Sequence, residues 1–403
     1  MTDPSPDPVA RRRVFYIPGY DPIHPRRYRE LYRSEGAAQA AISGYAVTLK
    51  PKAGRGGRYG WQVEGLIDGA RCDARFDVLV WSDIVRESMG LGIFATYLQL
   101  IRTAWTYIGS GALWRLMKLR KGPVIAALYP VGFLLVQLLI ALLLAWGLGQ
   151  ILALIHPWLA WTGLIVVPFV LEWFRKRDGK FFAYYLMHDY AYSARFRGAN
   201  PPELEARMTE FTDEIAAALT TDVDEVLVVG HSSGAHLAVS ILSDLIRAGR
   251  VPATGPALAF LSLGQVVPMV SFLPDAHRLR ADLQFLSETD ALTWIDVTAP
   301  GDGCAFALCD PVAVSGVARP AKRWPLVISA AFTQTLSPAR WKELRWKFFR
   351  LHFQYMCAFD RPGDYDYFQI TAGPRSLADR FKGRSPSNSR IETPVNKFTG
   401  IAP

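Results

Sequence analysis

Five residues, Gly230-His231-Ser232-Ser233-Gly234, set a serine between two glycines in the pattern Gly-x-Ser-x-Gly. They follow Val226–Val229, a short β-branched run of the kind that forms a strand buried on both faces. After them Ala235, Leu237, Ala238, Ile241, Leu242, Leu245 and Ile246 recur with helical spacing as far as Gly249. Between a strand and a helix, the glycines permit a turn so tight that the serine is strained and its Oγ exposed. The helix N-terminus adds free N–H groups and a positive dipole end, which favour a negative oxygen forming on a carbonyl. The chemistry indicated is attack by Ser232 on an acyl group. A purely structural Gly/Ser turn is the competing reading, and the flanking strand and helix weigh against it. Ser233 stands at the fourth motif position, where its backbone N–H would serve the oxyanion. His231 and His236 are expected to be structural.

With this elbow the chain resembles the α/β-hydrolase superfamily, of the lipase- or esterase-like kind. The resemblance covers roughly residues 13–85 and 180–375 and is specific only at the elbow. It implies an α/β fold, a mostly parallel sheet flanked by helices, and a triad in the order serine, acid, histidine. Thr293–Thr298 reads as a strand, and Asp302 follows it in Pro300-Gly301-Asp302-Gly303, where the family places its acid. Asp310 and Asp296 remain alternatives, and Asp302 itself could be a plain turn residue. Of seven histidines only His352 follows His277, so an acid beyond His277 leaves His352 as the base. His352 lies in a stretch, 341–356, that reads as one amphipathic helix, whereas the family's histidine usually sits in a loop. Val14–Ile17 reads as an early strand ending in Pro18-Gly19-Tyr20. Gly19 would let the backbone approach the reacting carbonyl, with the Tyr20 N–H as second oxyanion donor. This departs from the His-Gly-Gly pattern of some lipases, and an ordinary Pro-Gly turn is the alternative.

The elements that must position these residues alternate strand and helix. Strands are expected at Val14–Ile17, Ala46–Lys50, Val78–Trp81, Val226–Val229, Ala257–Leu263 and Thr293–Thr298. Helices are expected near Arg26–Ala41, Glu203–Leu219, Ala235–Ala248 and Ala276–Leu286. One feature interrupts the alternation. From Gly122 to Leu171 the chain has no Asp, Glu, Lys or Arg, and this stretch carries the positive mean hydropathy of +0.12. A single helix of that length would run roughly 75 Å against a bilayer core of about 30 Å, so the stretch must turn back. Two spans are expected, at about Val124–Leu148 and Pro157–Phe174, with Tyr129, Trp146, Trp158, Trp161 and Trp173 near their ends. Arg115, Lys118, Arg120 and Lys121 precede the hairpin; Arg175, Lys176, Arg177 and Lys180 follow it; its loop has no Lys or Arg. Under the positive-inside rule both flanks, the catalytic part and both termini face the cytoplasm, in an inner, cytoplasmic-type membrane.

The chain therefore divides into a disordered start (1–12), a first core part (13–88) and a lid-like or interfacial segment (89–121). A transmembrane hairpin (122–174), a second core part with the triad (175–381) and a disordered tail (382–403) complete it. Most of the net charge of +9 sits on the hairpin flanks, which suits anionic lipid, and no motif supports nucleic-acid binding. Cys72, Cys304, Cys309 and Cys357 form no C-x-x-C pair and no metal spacing, so neither metal nor cofactor is expected. His188-Asp189 precedes the serine and is expected to be structural. The expected function is a membrane-anchored serine hydrolase acting on an acyl ester or thioester, a lipid among the candidates. An acyltransferase with the same triad, or a silent hydrolase-fold membrane scaffold, are the alternatives.

Overall fold

The computed structural model describes residues 8–52 and 57–402. Its strands are β1 Arg11–Ile17, β2 Ala46–Pro51, β3 Gly60–Ile67, β4 Ala70–Val78, β5 Glu225–His231, β6 Ala257–Leu263, β7 Thr293–Thr298 and β8 Leu326–Ser329. They form one mixed sheet in the order β2-β3-β4-β1-β5-β6-β7-β8. From β4 to β8 the neighbours run parallel, while β2, β3 and β4 pair antiparallel. Helices cover both faces, so every residue of central β5 is buried, as its apolar run requires.

The strand expected at Val78–Trp81 is a correction: pairing ends at Val78, and the strand is β4, eight residues further back. Its partner β3 was not anticipated. The two are joined by Asp68-Gly69, both at positive φ (53° and 76°), the dipeptide that closes a tight hairpin. Short β8 was also unforeseen.

Both terminal segments are better fixed than their composition suggests. Of the start expected to be disordered, residues 1–7 lie outside the described residues, but β1 already begins at Arg11. Buried Arg12 pairs with buried Glu225 of β5 and donates to the carbonyls of Gly373 and Arg375. At the other end, Ile391 bridges to Cys309, and the Asn396 amide donates to the carbonyls of Ser271 and Ser315. Those hydrogen bonds, invisible in a Ser/Pro/Asn composition, hold the described part of the tail against the body.

The insertion lies between β4 and β5. Short helices lead to Lys121–Ala153, and a 3₁₀ segment, Pro157–Ile165, runs into helix Val166–Arg175. These two stretches are long and apolar enough to cross a membrane. Only 22% and 11% of their most apolar windows is buried, so protein does not cover them as it covers a core helix. The 3₁₀ turns, rising about 2.0 Å per residue, stretch Pro157–Arg175 to about 33 Å, enough for a bilayer core. The two arms meet backbone to backbone: a Cβ on Gly163 would sit 2.3 Å from the Ala145 oxygen, and one on Gly149 would sit 2.6 Å from that of Ala160. Beside the hairpin, helix Ile93–Gly109 leaves Phe94 and Trp105 about four-fifths exposed.

Candidate active site

Ser232 follows β5 and precedes helix Ser233–Arg247, and its backbone sits at φ 56°, ψ −122°, a conformation that strains a residue with a Cβ. The flanking glycines are required by contact. A Cβ on Gly234 would lie 2.1 Å from the Ile17 oxygen, and one on Gly230 would lie 2.8 Å from Ala235 Cα. The loop after β1 closes on the serine from the other side: a Cβ on Gly19 would lie 3.0 Å from Ser232 Cβ and 3.4 Å from its Oγ. Neither the Tyr20 nor the Ser233 N–H is engaged in a hydrogen bond among the described residues. Two unused donors thus stand in the segments on either side of the hydroxyl.

Asp302 turns back on Ala299 just past β7, and His352 Nδ1 donates to its Oδ2 across 2.7 Å. Asp302 also accepts from the Tyr355 hydroxyl at 3.0 Å and from the Cys304 N–H at 2.8 Å. Burial alone would raise this carboxyl. The charge and hydrogen bond of His352, helped by the other two donors, outweigh it and hold Asp302 below the ordinary value. With Nδ1 taken up by Asp302, Nε2 is the ring nitrogen left open, and that buried nitrogen has no hydrogen-bond partner among the described residues. The stretch 341–356 is not one helix. It breaks into Pro338–Leu344, Phe348–His352 and a 3₁₀ turn, Gln354–Met356, with His352 at the end of the middle piece.

His352 is held from two further sides. His231 Nε2 donates to its backbone carbonyl across 3.0 Å, and burial, with His352 nearby, drives His231 down to about 3. His231 is therefore neutral and can donate only from Nε2. Against the ring lies Gly264, at φ 53°, where a Cβ would be 3.1 Å from His352 Cε1. His236 is buried and driven down to about 4 by that burial.

The rival acids have other partners. Asp310 caps helix Pro311–Val314 and pairs with Lys322 at 2.6 Å. Asp296 lies buried in β7 and accepts from Ser262 at 2.6 Å; burial pushes it up to about 8.

Ser232, Ser233, His352, Gly19 and Tyr20 all line one cavity of about 800 Å³, a size that suits a small organic ligand. Asp189, expected from the sequence to be structural, lines it as well. Its neighbour His188 turns away to Gln99 (2.9 Å). Tyr185, Asp189 and Ser193 recur every fourth residue of helix Ala183–Arg195, and that face looks into the cavity. Asp189 has no hydrogen-bond partner among the described residues, and burial pushes its carboxyl up to about 7. No sequence motif marks it.

Asp302, Cys304 and His352 bring ligand-type atoms within 4.8 Å of one another, the one such trio among the described residues. The Asp302 and His352 atoms already bond each other, and burial drives the Cys304 thiol well up, away from thiolate. The trio is a poor metal cage. Chemically, the arrangement offers a strained hydroxyl, a base with an open nitrogen, an ionised carboxylate behind it and two N–H donors. Comparison with known protein families, with curated proteins and with solved structures finds no match for this chain.

Proposed function

We propose that the chain is a membrane-anchored serine hydrolase of α/β-hydrolase type that cleaves acyl esters or thioesters on the cytoplasmic face of an inner membrane. The observation that carries this reading is the Asp302–His352 hydrogen bond of 2.7 Å, which leaves His352 Nε2 unpaired beside the cavity that Ser232 lines. In the reaction Ser232 Oγ attacks the acyl carbonyl while Nε2 takes its proton. The Tyr20 and Ser233 N–H groups receive the oxyanion. When the tetrahedral intermediate collapses, His352 gives the proton to the departing alcohol or thiol. Water, deprotonated by the same nitrogen, then releases the acid and restores Ser232. Asp302 holds the imidazole in the required tautomer and balances its transient charge.

The membrane placement rests on the two uncovered apolar arms and on the basic residues at both flanks of the hairpin. Turnover of p-nitrophenyl butyrate by the detergent-solubilised protein tests the reading. The wild type should hydrolyse it, and Ser232→Ala and His352→Ala should each lose at least about a thousandfold in kcat. A folded but inert wild type would overturn the proposal.

A further inference from the structure

A second, smaller cavity of about 70 Å³ lies between the insertion and the core, and its lining is almost wholly apolar. One wall is the first hairpin arm, through Val124, Ala127, Leu128 and Val131. The facing wall is helix Ile93–Gly109, through Thr103, Ala104 and Ile108. Ile108 and Leu128 are about half exposed, so the cavity opens on the apolar surface that the hairpin and this helix share. At its inner end stand Tyr107, Tyr190 and Met269, and these three residues also line the cavity of Ser232. The Tyr107 hydroxyl donates to the Met269 carbonyl across 2.9 Å, fixing this partition. Methionine is the most adaptable of apolar side chains, so the partition is one that a ligand can part.

We propose that this apolar slot receives the acyl chain of a bilayer lipid and conducts it past Tyr107, Tyr190 and Met269 to Ser232. The inference rests on the hydrolase reading and names its substrate class: long-chain acyl esters whose tail stays at membrane depth during attack. Two observations fix the occupant as an acyl chain. The slot's mouth is set in the first arm of an uncharged 50-residue stretch, where the surrounding medium is hydrocarbon. The rim of the larger cavity is by contrast polar, carrying Arg27, Glu35, Arg340, Glu343 and Arg350, and suits a head group or leaving group.

The experiment fills the slot from opposite walls with Ala104→Phe and Ala127→Phe. It compares p-nitrophenyl palmitate with p-nitrophenyl butyrate in mixed micelles. Each methylene kept from burial loses about fourfold, so exclusion of two or more lowers palmitate kcat/KM by about tenfold or further. Butyrate kcat/KM should stay within about twofold in both variants, which also shows that they fold. An unchanged palmitate-to-butyrate ratio in both would overturn the acyl slot while leaving the hydrolase reading intact. Equal loss of both esters in both variants would assign the slot to packing and overturn it as well. A wild type inert towards both esters would sink the hydrolase reading itself, and the slot with it.

Discussion

The Nε2–H of His231 donates to the backbone carbonyl of His352 across 3.0 Å, tying the residue before the elbow serine to a histidine 121 positions later. The two rings lie 4.8 Å apart between centroids. On the proposed mechanism, His231 would act through His352, as a positioning residue for the base. His231→Phe keeps the ring packing and removes the donor, and should lower kcat about tenfold with KM unchanged. His231→Gln, which restores an N–H at similar reach, should recover much of that loss. Equal losses in both variants, tracking a fall in Tm, would mean that His231 only packs.

Asp302→Asn replaces an acceptor with a group that can donate, so His352 turns to the wrong tautomer. By the precedent of serine hydrolases with this arrangement, kcat should fall about ten-thousandfold. Asp310→Asn should leave kcat nearly unchanged. It weakens the cap of Pro311–Val314 and the ion pair with Lys322, so its effect belongs in the melting temperature. A reversed pattern would move the acid from Asp302 to Asp310.

Asp296 gives a pH dependence of stability. Its carboxyl is pushed up to about 8 by burial in β7, while in the unfolded chain it titrates near the ordinary value of about 4. Between those limits the folded protein binds more protons at this site than the unfolded one. Stability should therefore fall as pH rises from about 4 to about 8, by at most roughly 1.4 kcal/mol per pH unit from this group. Asp296→Asn, which imitates the neutral acid, should remove this component, so its unfolding midpoint gains on that of the wild type as pH rises. Parallel midpoints across the range would contradict the assignment.

The hairpin arms carry a topological prediction. In a background lacking the four native cysteines, Ile155→Cys at the loop should react with a membrane-impermeant maleimide in intact cells. Lys180→Cys, in the basic flank, should react only after permeabilisation. The opposite pattern would invert the chain, and labelling of both positions in intact cells would remove the hairpin from the membrane.

The elbow was legible because its determinants are local: two glycines, a β-branched run before them and helical spacing after them. The apolar hairpin was legible for the same reason, though nine residues of 3₁₀ helix in its second arm leave no trace in composition. The β3–β4 hairpin was missed although the sequence marks it twice: Asp68-Gly69 forms its turn, and Arg71, Asp73, Arg75 and Asp77 alternate strictly with buried Cys72, Ala74, Phe76 and Val78. The tail's order was not legible, because its hydrogen bonds reach Ser271, Leu308, Asp310 and Ser315 across the fold. Asp302 was a candidate from its place just past the strand Thr293–Thr298, and His352 by chain order alone. Tyr355, which braces their pair, and Asp189, which faces the same cavity, depend on helices and turns meeting over long sequence separations.

The central claim is that Ser232 is a nucleophile activated by His352. It is tested most directly by treating the solubilised protein with a fluorophosphonate and mapping the adduct by peptide mass spectrometry. One adduct is expected, on Ser232 and not on adjacent Ser233, abolished by Ser232→Ala and slowed at least about a hundredfold by His352→Ala. A folded wild type that takes up no probe, or one labelled equally well without His352, would contradict it.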